Sequence, residues 1–116
     1  MGKLTTHVLD TTHGKPGKGI HLRLFRLGGK EELVAKAVTN DDGRCDGPIL
    51  DGDKMLPGTY RLEFDMADYF RSQGVKLADV PFLDTVLIRF GITDAKAHYH
   101  VPLLVSPFGY STYRGS

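Results

Sequence analysis

The sequence predicts an all-β protein, a two-sheet antiparallel β-sandwich of seven or eight strands with one short α-helix. Three observations predict it. Apolar and polar residues alternate with a period of two in one short segment after another, as strands with one buried and one solvated face do. Turn residues separate these segments, 14 Gly and 6 Pro being spread over 116 residues. Only one segment, Met66 to Gln73, reads as a helix, which is too little to supply the crossover connections of a parallel sheet.

The elements follow in order. Leu4 to Asp10 alternates, with Leu4, Thr6 and Val8 on one face and Thr5, His7 and Leu9 on the other. Thr11 to Gly19 is a Gly/Pro loop that turns at Pro16-Gly17. Ile20 to Leu27 places Ile20, Leu22 and Leu24 inward, and Gly28-Gly29-Lys30 folds it onto Glu32 to Thr39 as a hairpin. Asn40-Asp41-Asp42-Gly43 is a further turn that delivers Arg44 and Cys45 at its exit. Gly47 to Gly58 is loop-like around Ile49-Leu50. Thr59 to Asp65 buries Tyr60, Leu62 and Phe64. The helix follows, with Asp65 available to cap its first amides and Gly74 where a left-handed stop is wanted. Pro81 to Phe90 resumes strand character, Gly91 to Asp94 turns, and Ala97 to Ser116 forms a last hairpin around Ser106-Pro107-Phe108-Gly109.

Residues 1–116 make one domain, which at this size buries roughly 65% of its unfolded surface. The charge balance, 15 basic against 14 acidic residues, leaves no footprint for nucleic acid or an anionic membrane. No apolar stretch is long enough for a signal peptide or a membrane span, and the single cysteine suits a reducing compartment. The expected location is the cytoplasm.

Five histidines invite a chemical reading. His13 and His21 fall in a loop and on a solvent face and read as surface residues. His98 and His100, two apart on a strand, share a face with Pro102 and Leu104, while Tyr99, Val101, Leu103 and Val105 line the better core face. His7 and His100 therefore point away from the interior. His-x-His with His7 could ligate a metal, but no carboxylate or cysteine spacing accompanies them, and an adjacent Arg44 would repel a cation. The same arginine would hold the imidazoles neutral, which a general base requires. A serine nucleophile at Ser111 or Ser116 lacks the G-x-S-x-G elbow. Cys45 beside Arg44 reads as a small buried hydrophobe more readily than as a reactive thiol.

Four motifs together resemble the transthyretin-like family of 5-hydroxyisourate hydrolases: Thr5-Thr6-His7-Val8-Leu9-Asp10, Asp42-Gly43-Arg44-Cys45, His98-Tyr99-His100-Val101-Pro102-Leu103-Leu104 and the terminal Tyr113-Arg114-Gly115-Ser116. The likeness runs from Leu4 to Ser116. It implies a transthyretin fold assembled as a homotetramer, with sites at the mouths of a central channel where several subunits bring His7, Arg44, His100 and Tyr113 near one another. It also implies His7, Arg44 and His100 as the catalytic set, His7, Arg44, Tyr113 and Ser116 as substrate contacts, His98 as a weaker candidate, and neither metal nor cofactor. The implied reaction, in purine catabolism, opens the ring of 5-hydroxyisourate by hydrolysing its N1–C6 bond, with one imidazole as base, the other as acid, and the order open. Two other readings stay available on the same fold: a non-catalytic carrier of an aromatic ligand, and a protein-interaction module.

Overall fold

The computed structural model describes residues 2–115. It contains strands β1 (Lys3–Asp10), β2 (Lys15–Pro16), β3 (His21–Leu27), β4 (Glu32–Val38), β5 (Leu50–Asp51), β6 (Gly58–Asp65), β7 (Thr85–Ile92), β8 (His98–Ser106) and β9 (Gly109–Thr112), with one helix, α1 (Met66–Ser72). One sheet runs β2-β1-β8-β9, with β5 also paired to β1, and the other runs β4-β3-β6-β7. The sandwich expected from the alternation is present. Its inward residues, including Leu4, Val8, Leu22, Leu24, Tyr60, Leu62, Phe64, Leu103 and Val105, form one core. Among the described residues no helix is long and apolar enough to cross a membrane.

One pairing departs from the antiparallel expectation. β1 and β8 run parallel through eight consecutive partners, from Lys3↔His98 to Asp10↔Val105. Hairpin loops impose antiparallel pairing only on neighbours in the chain, and these two strands come from opposite ends of it. Both are interior strands of their sheet, so the parallel ladder is covered on either side.

Two boundaries also differ. The segment from Pro81 to Asp84 is not strand; β7 begins at Thr85 and continues through Gly91 to Ile92. Asp84 is occupied otherwise, its carbonyl accepting the amides of Met66 and Ala67 at 3.1 Å each. That carbonyl does for the helix what Asp65 was expected to do. The Asp65 side chain makes no capping bond, because Arg23 holds both its oxygens at 2.7 and 2.9 Å. Gly74 does take the left-handed conformation that ends the helix (φ +82°).

Candidate active site

The site grows out of the parallel ladder. Because β1 and β8 pair Thr5 with His100 and Lys3 with His98, period-two alternation places Thr5, His7, His98 and His100 on the outward face of one sheet. The Thr5 hydroxyl lies 2.8 Å from His98 Nε2 and 2.8 Å from His100 Nδ1.

Arg44 reaches the same face through its turn. The Asn40 side-chain carbonyl accepts the amides of Asp42 (3.0 Å) and Arg44 (3.2 Å), while the Asn40 amide donates to the Arg44 carbonyl at 2.7 Å. Gly43 takes φ +74° and its carbonyl accepts the Val8 amide at 2.8 Å. A Cβ there would stand 2.5 Å from the Val8 carbonyl oxygen, so only glycine lets the turn lie against β1. The result is an antiparallel bridge between His7 and Arg44.

The tail closes the third side. Beyond β9 the chain bends away at Tyr113 and Arg114 and pairs again with β8, Gly115 donating its amide to the His100 carbonyl at 2.8 Å. The Arg114 guanidinium stacks over the Tyr99 ring at 4.1 Å and donates to the His98 carbonyl at 3.4 Å. Gly115 sits so close to the imidazole that a Cβ on it would meet His100 Cδ2 at 2.6 Å.

These elements enclose an open cavity of about 530 Å³. His7, Arg44, His98, His100 and Tyr113 all line it, with Lys3 and Thr5. Among the described residues that line it there is no carboxylate. His7 and His100 are half-buried, and both are held below the usual imidazole range, first by burial and then by the positive charge of Arg44. Asp42 partly opposes this at His7, and the neighbouring His98 and His7 add to it at His100. Burial and Arg44 thus favour the neutral form of both rings. Burial, then Asp46, pushes the Cys45 thiol up, which keeps it from acting as a thiolate.

Of the residues singled out in the sequence, His7, Arg44, His100 and Tyr113 meet around this one cavity, and a single chain suffices to bring them together. Within one chain the parallel ladder and the returning tail bring them together. Ser116 lies outside the described residues. Among the described residues, no three His, Cys, Asp or Glu side chains are arranged to hold a metal ion. His98, the weaker candidate, also lines the cavity and bonds to Thr5 at its exposed edge. Thr5 was missed as a site residue: alternation puts it on the face of His7, but only the parallel register sets it between the two histidines. His13 is not idle surface either, since its Nδ1 lies 2.6 Å from the buried Asp10 carboxylate, which also accepts the Tyr69 hydroxyl at 2.7 Å.

Fold and site together define a β-sandwich protein with a basic, imidazole-lined cavity on the outward face of one sheet. The chain belongs to the HIUase/Transthyretin family, whose model matches residues 4–115. A 5-hydroxyisourate hydrolase of Pseudomonas aeruginosa is 57% identical, over 100% of this chain and 93% of its own. Among solved structures, an (S)-allantoin synthase superposes with a TM-score of 0.95 at 49% identity, over 99% of this chain and 44% of that one. A Klebsiella pneumoniae 5-hydroxyisourate hydrolase matches over the full length of both chains (TM-score 0.83, 34% identity). Sea bream transthyretin in complex with thyroxine has a TM-score of 0.86 at 28% identity, covering 97% of this chain and 94% of its own.

Proposed function

We propose that this chain, as a single domain, is a hydrolase that opens the ring of 5-hydroxyisourate at the N1–C6 bond and yields 2-oxo-4-hydroxy-4-carboxy-5-ureidoimidazoline. The catalytic residues of this proposal are His7, Arg44 and His100, with Tyr113 and Ser116 as further substrate contacts. One observation carries the reading: two half-buried imidazoles share a cavity with a guanidinium. The full-length likeness to hydrolases of that name supports it.

The chemistry follows from those groups. A neutral imidazole takes a proton from water as the oxygen attacks the C6 carbonyl carbon. The oxyanion that develops lies in a cavity containing Arg44 and Lys3, where the charge is stabilised. As the C–N bond breaks, the nitrogen takes its electron pair and accepts a proton from an imidazole. The product carries a new carboxylate, which the same basic lining accommodates. The mechanism uses no metal or cofactor.

The homotetramer and a cytoplasmic location belong to the same proposal. The tetramer is supported by a strip of exposed apolar side chains, Phe82 (73% exposed), Phe108 (76%) and Tyr110 (46%), beside the edge strands β7 and β9. The test is the decay of freshly generated 5-hydroxyisourate, followed by ultraviolet absorbance with and without the protein and again with a chelator. Accelerated decay insensitive to chelator is expected. Decay at the uncatalysed rate, with tight binding of an aromatic ligand instead, would identify a carrier.

A further inference from the structure

We infer that Thr5 is a positioning residue that selects the tautomer of His100 through its single hydroxyl proton, and that with His98 it forms a conduit along which the proton taken from water is parked outside the reacting centre. The inference rests on the hydrolytic reading of the cavity and deepens it by assigning the base.

The geometry is a three-membered chain. Thr5 Oγ1 lies 2.8 Å from His98 Nε2 on one side and 2.8 Å from His100 Nδ1 on the other. A threonine hydroxyl has one proton to donate and two lone pairs, so it can accept from both rings or donate to one and accept from the other. Two arrangements carry its proton along the chain. In the first, His100 Nδ1–H donates to Thr5, Thr5 donates to His98 Nε2, and His100 Nε2 is left bare as a base. In the second, every proton points the other way: His98 Nε2–H donates to Thr5, Thr5 donates to His100 Nδ1, and His100 Nε2 bears the proton. The hydroxyl thus converts a choice of tautomer at His98 into a choice of base or acid at His100. His7 is tied instead to the Asp42 backbone and has no hydroxyl link to a second imidazole among the described hydrogen bonds, so the relay is assigned to His100.

Exposure completes the argument. His100 is half-buried, with Arg44, His98 and His7 adding to the cost of a charge on it. His98, on the same strand, is exposed to solvent. During attack the water O–H bond breaks and its proton bonds to His100 Nε2, while the Nδ1 proton passes to Thr5 Oγ1 and the Thr5 proton to His98 Nε2. His98 then holds the positive charge and His100 presents a neutral Nε2–H. When the C–N bond breaks, that proton goes to the departing nitrogen as the chain runs back from His98 through Thr5 to His100 Nδ1. No proton is gained or lost over the cycle beyond those of the water added.

Thr5→Val keeps the shape of the side chain and removes the hydroxyl; Thr5→Ser keeps the hydroxyl. Two readouts separate this inference from the function it rests on. The first needs no substrate: nitrogen-15 shifts of the His100 ring report which nitrogen is protonated. They are expected to change in Thr5→Val and to return in Thr5→Ser. The second is turnover of 5-hydroxyisourate, where Thr5→Val is expected to lower kcat on the order of tenfold to a hundredfold with KM little changed, and Thr5→Ser to recover it. His98→Phe, at an exposed position, tests the far end and stands in if Thr5→Val does not fold: kcat falls similarly and rises again with added imidazole. An unchanged His100 tautomer in Thr5→Val, or full turnover in His98→Phe, overturns the inference. A wild-type protein that leaves 5-hydroxyisourate intact overturns the hydrolase reading, and the ring shifts still decide the tautomer.

Discussion

Gly115→Ala is the smallest change that tests whether the tail belongs to the site. The added Cβ would stand 2.6 Å from His100 Cδ2 and 3.3 Å from its Cβ and Cγ, where ordinary contact begins at 3.4 Å. The gap is short by roughly 0.8 Å, and a misplacement of about 1 Å at a reacting group can cost on the order of a hundredfold in rate. The clash is relieved either by the ring or by the tail. Moving the ring strains its bond to Thr5. Moving the tail breaks the Gly115 amide bond to the His100 carbonyl, worth about 1 kcal/mol net, while Arg114 stays stacked on Tyr99. A loss of that size lowers Tm by about 3–6 °C in a domain of this length. The expected result is therefore uneven: kcat/KM for ring opening falls between tenfold and a hundredfold, and thermal unfolding followed by circular dichroism shifts by only a few degrees. Unchanged kinetics would refute the reasoning, because they would mean that neither the ring position nor the tail contact matters to turnover.

Three more outcomes are expected. Asn40→Ala removes the carbonyl that accepts the Asp42 and Arg44 amides, so kcat/KM should drop about tenfold through a displaced Arg44, measured beside Arg44→Ala, which should lose more. The pH profile of kcat/KM should have an acid limb below the ordinary imidazole value of 6.5, because His7 and His100 both sit lower in the folded chain. The same two groups bind protons more readily when unfolded, so their contribution to stability is complete above the unfolded pKa and is lost as pH falls through the folded one; urea unfolding across that range measures it. Asp10→Ala should cost about 2–3 kcal/mol of stability by leaving the Tyr69 hydroxyl buried without its acceptor, and full turnover should persist in the folded fraction, since Asp10 does not line the cavity.

Much of this molecule can be read from its residues. Tyr60, Leu62 and Phe64 announce β6 and its buried face by alternation alone, and His7 and His100 fall on outward faces by the same count. What alternation cannot supply is the partner of each strand. Nothing local to Leu4–Asp10 or to His98–Ser106 says that the two lie side by side and parallel, and Thr5 acquires its place between two imidazoles only from that register. The helix start shows another limit. Asp65 has the right chemistry for a cap, but Arg23, 42 residues away, claims its carboxylate, and a backbone carbonyl from Asp84 takes over. His13 was discounted for a similar reason, its value depending on a carboxylate three residues back that the sequence does not mark as buried.

The pairing of β1 with β8 also bears on when the protein becomes useful. Thr5 and His100 are 95 residues apart, and the segment that closes the cavity lies beyond β9. Contacts so distant in sequence form late, because closing the long loop between them must be paid for first. A chain clipped before Tyr113 keeps the imidazoles and Arg44 but loses the Tyr113 and Gly115 side of the cavity. Activity in this protein is thus a report on completed folding, and such a cut should silence it while much of the sandwich still stands.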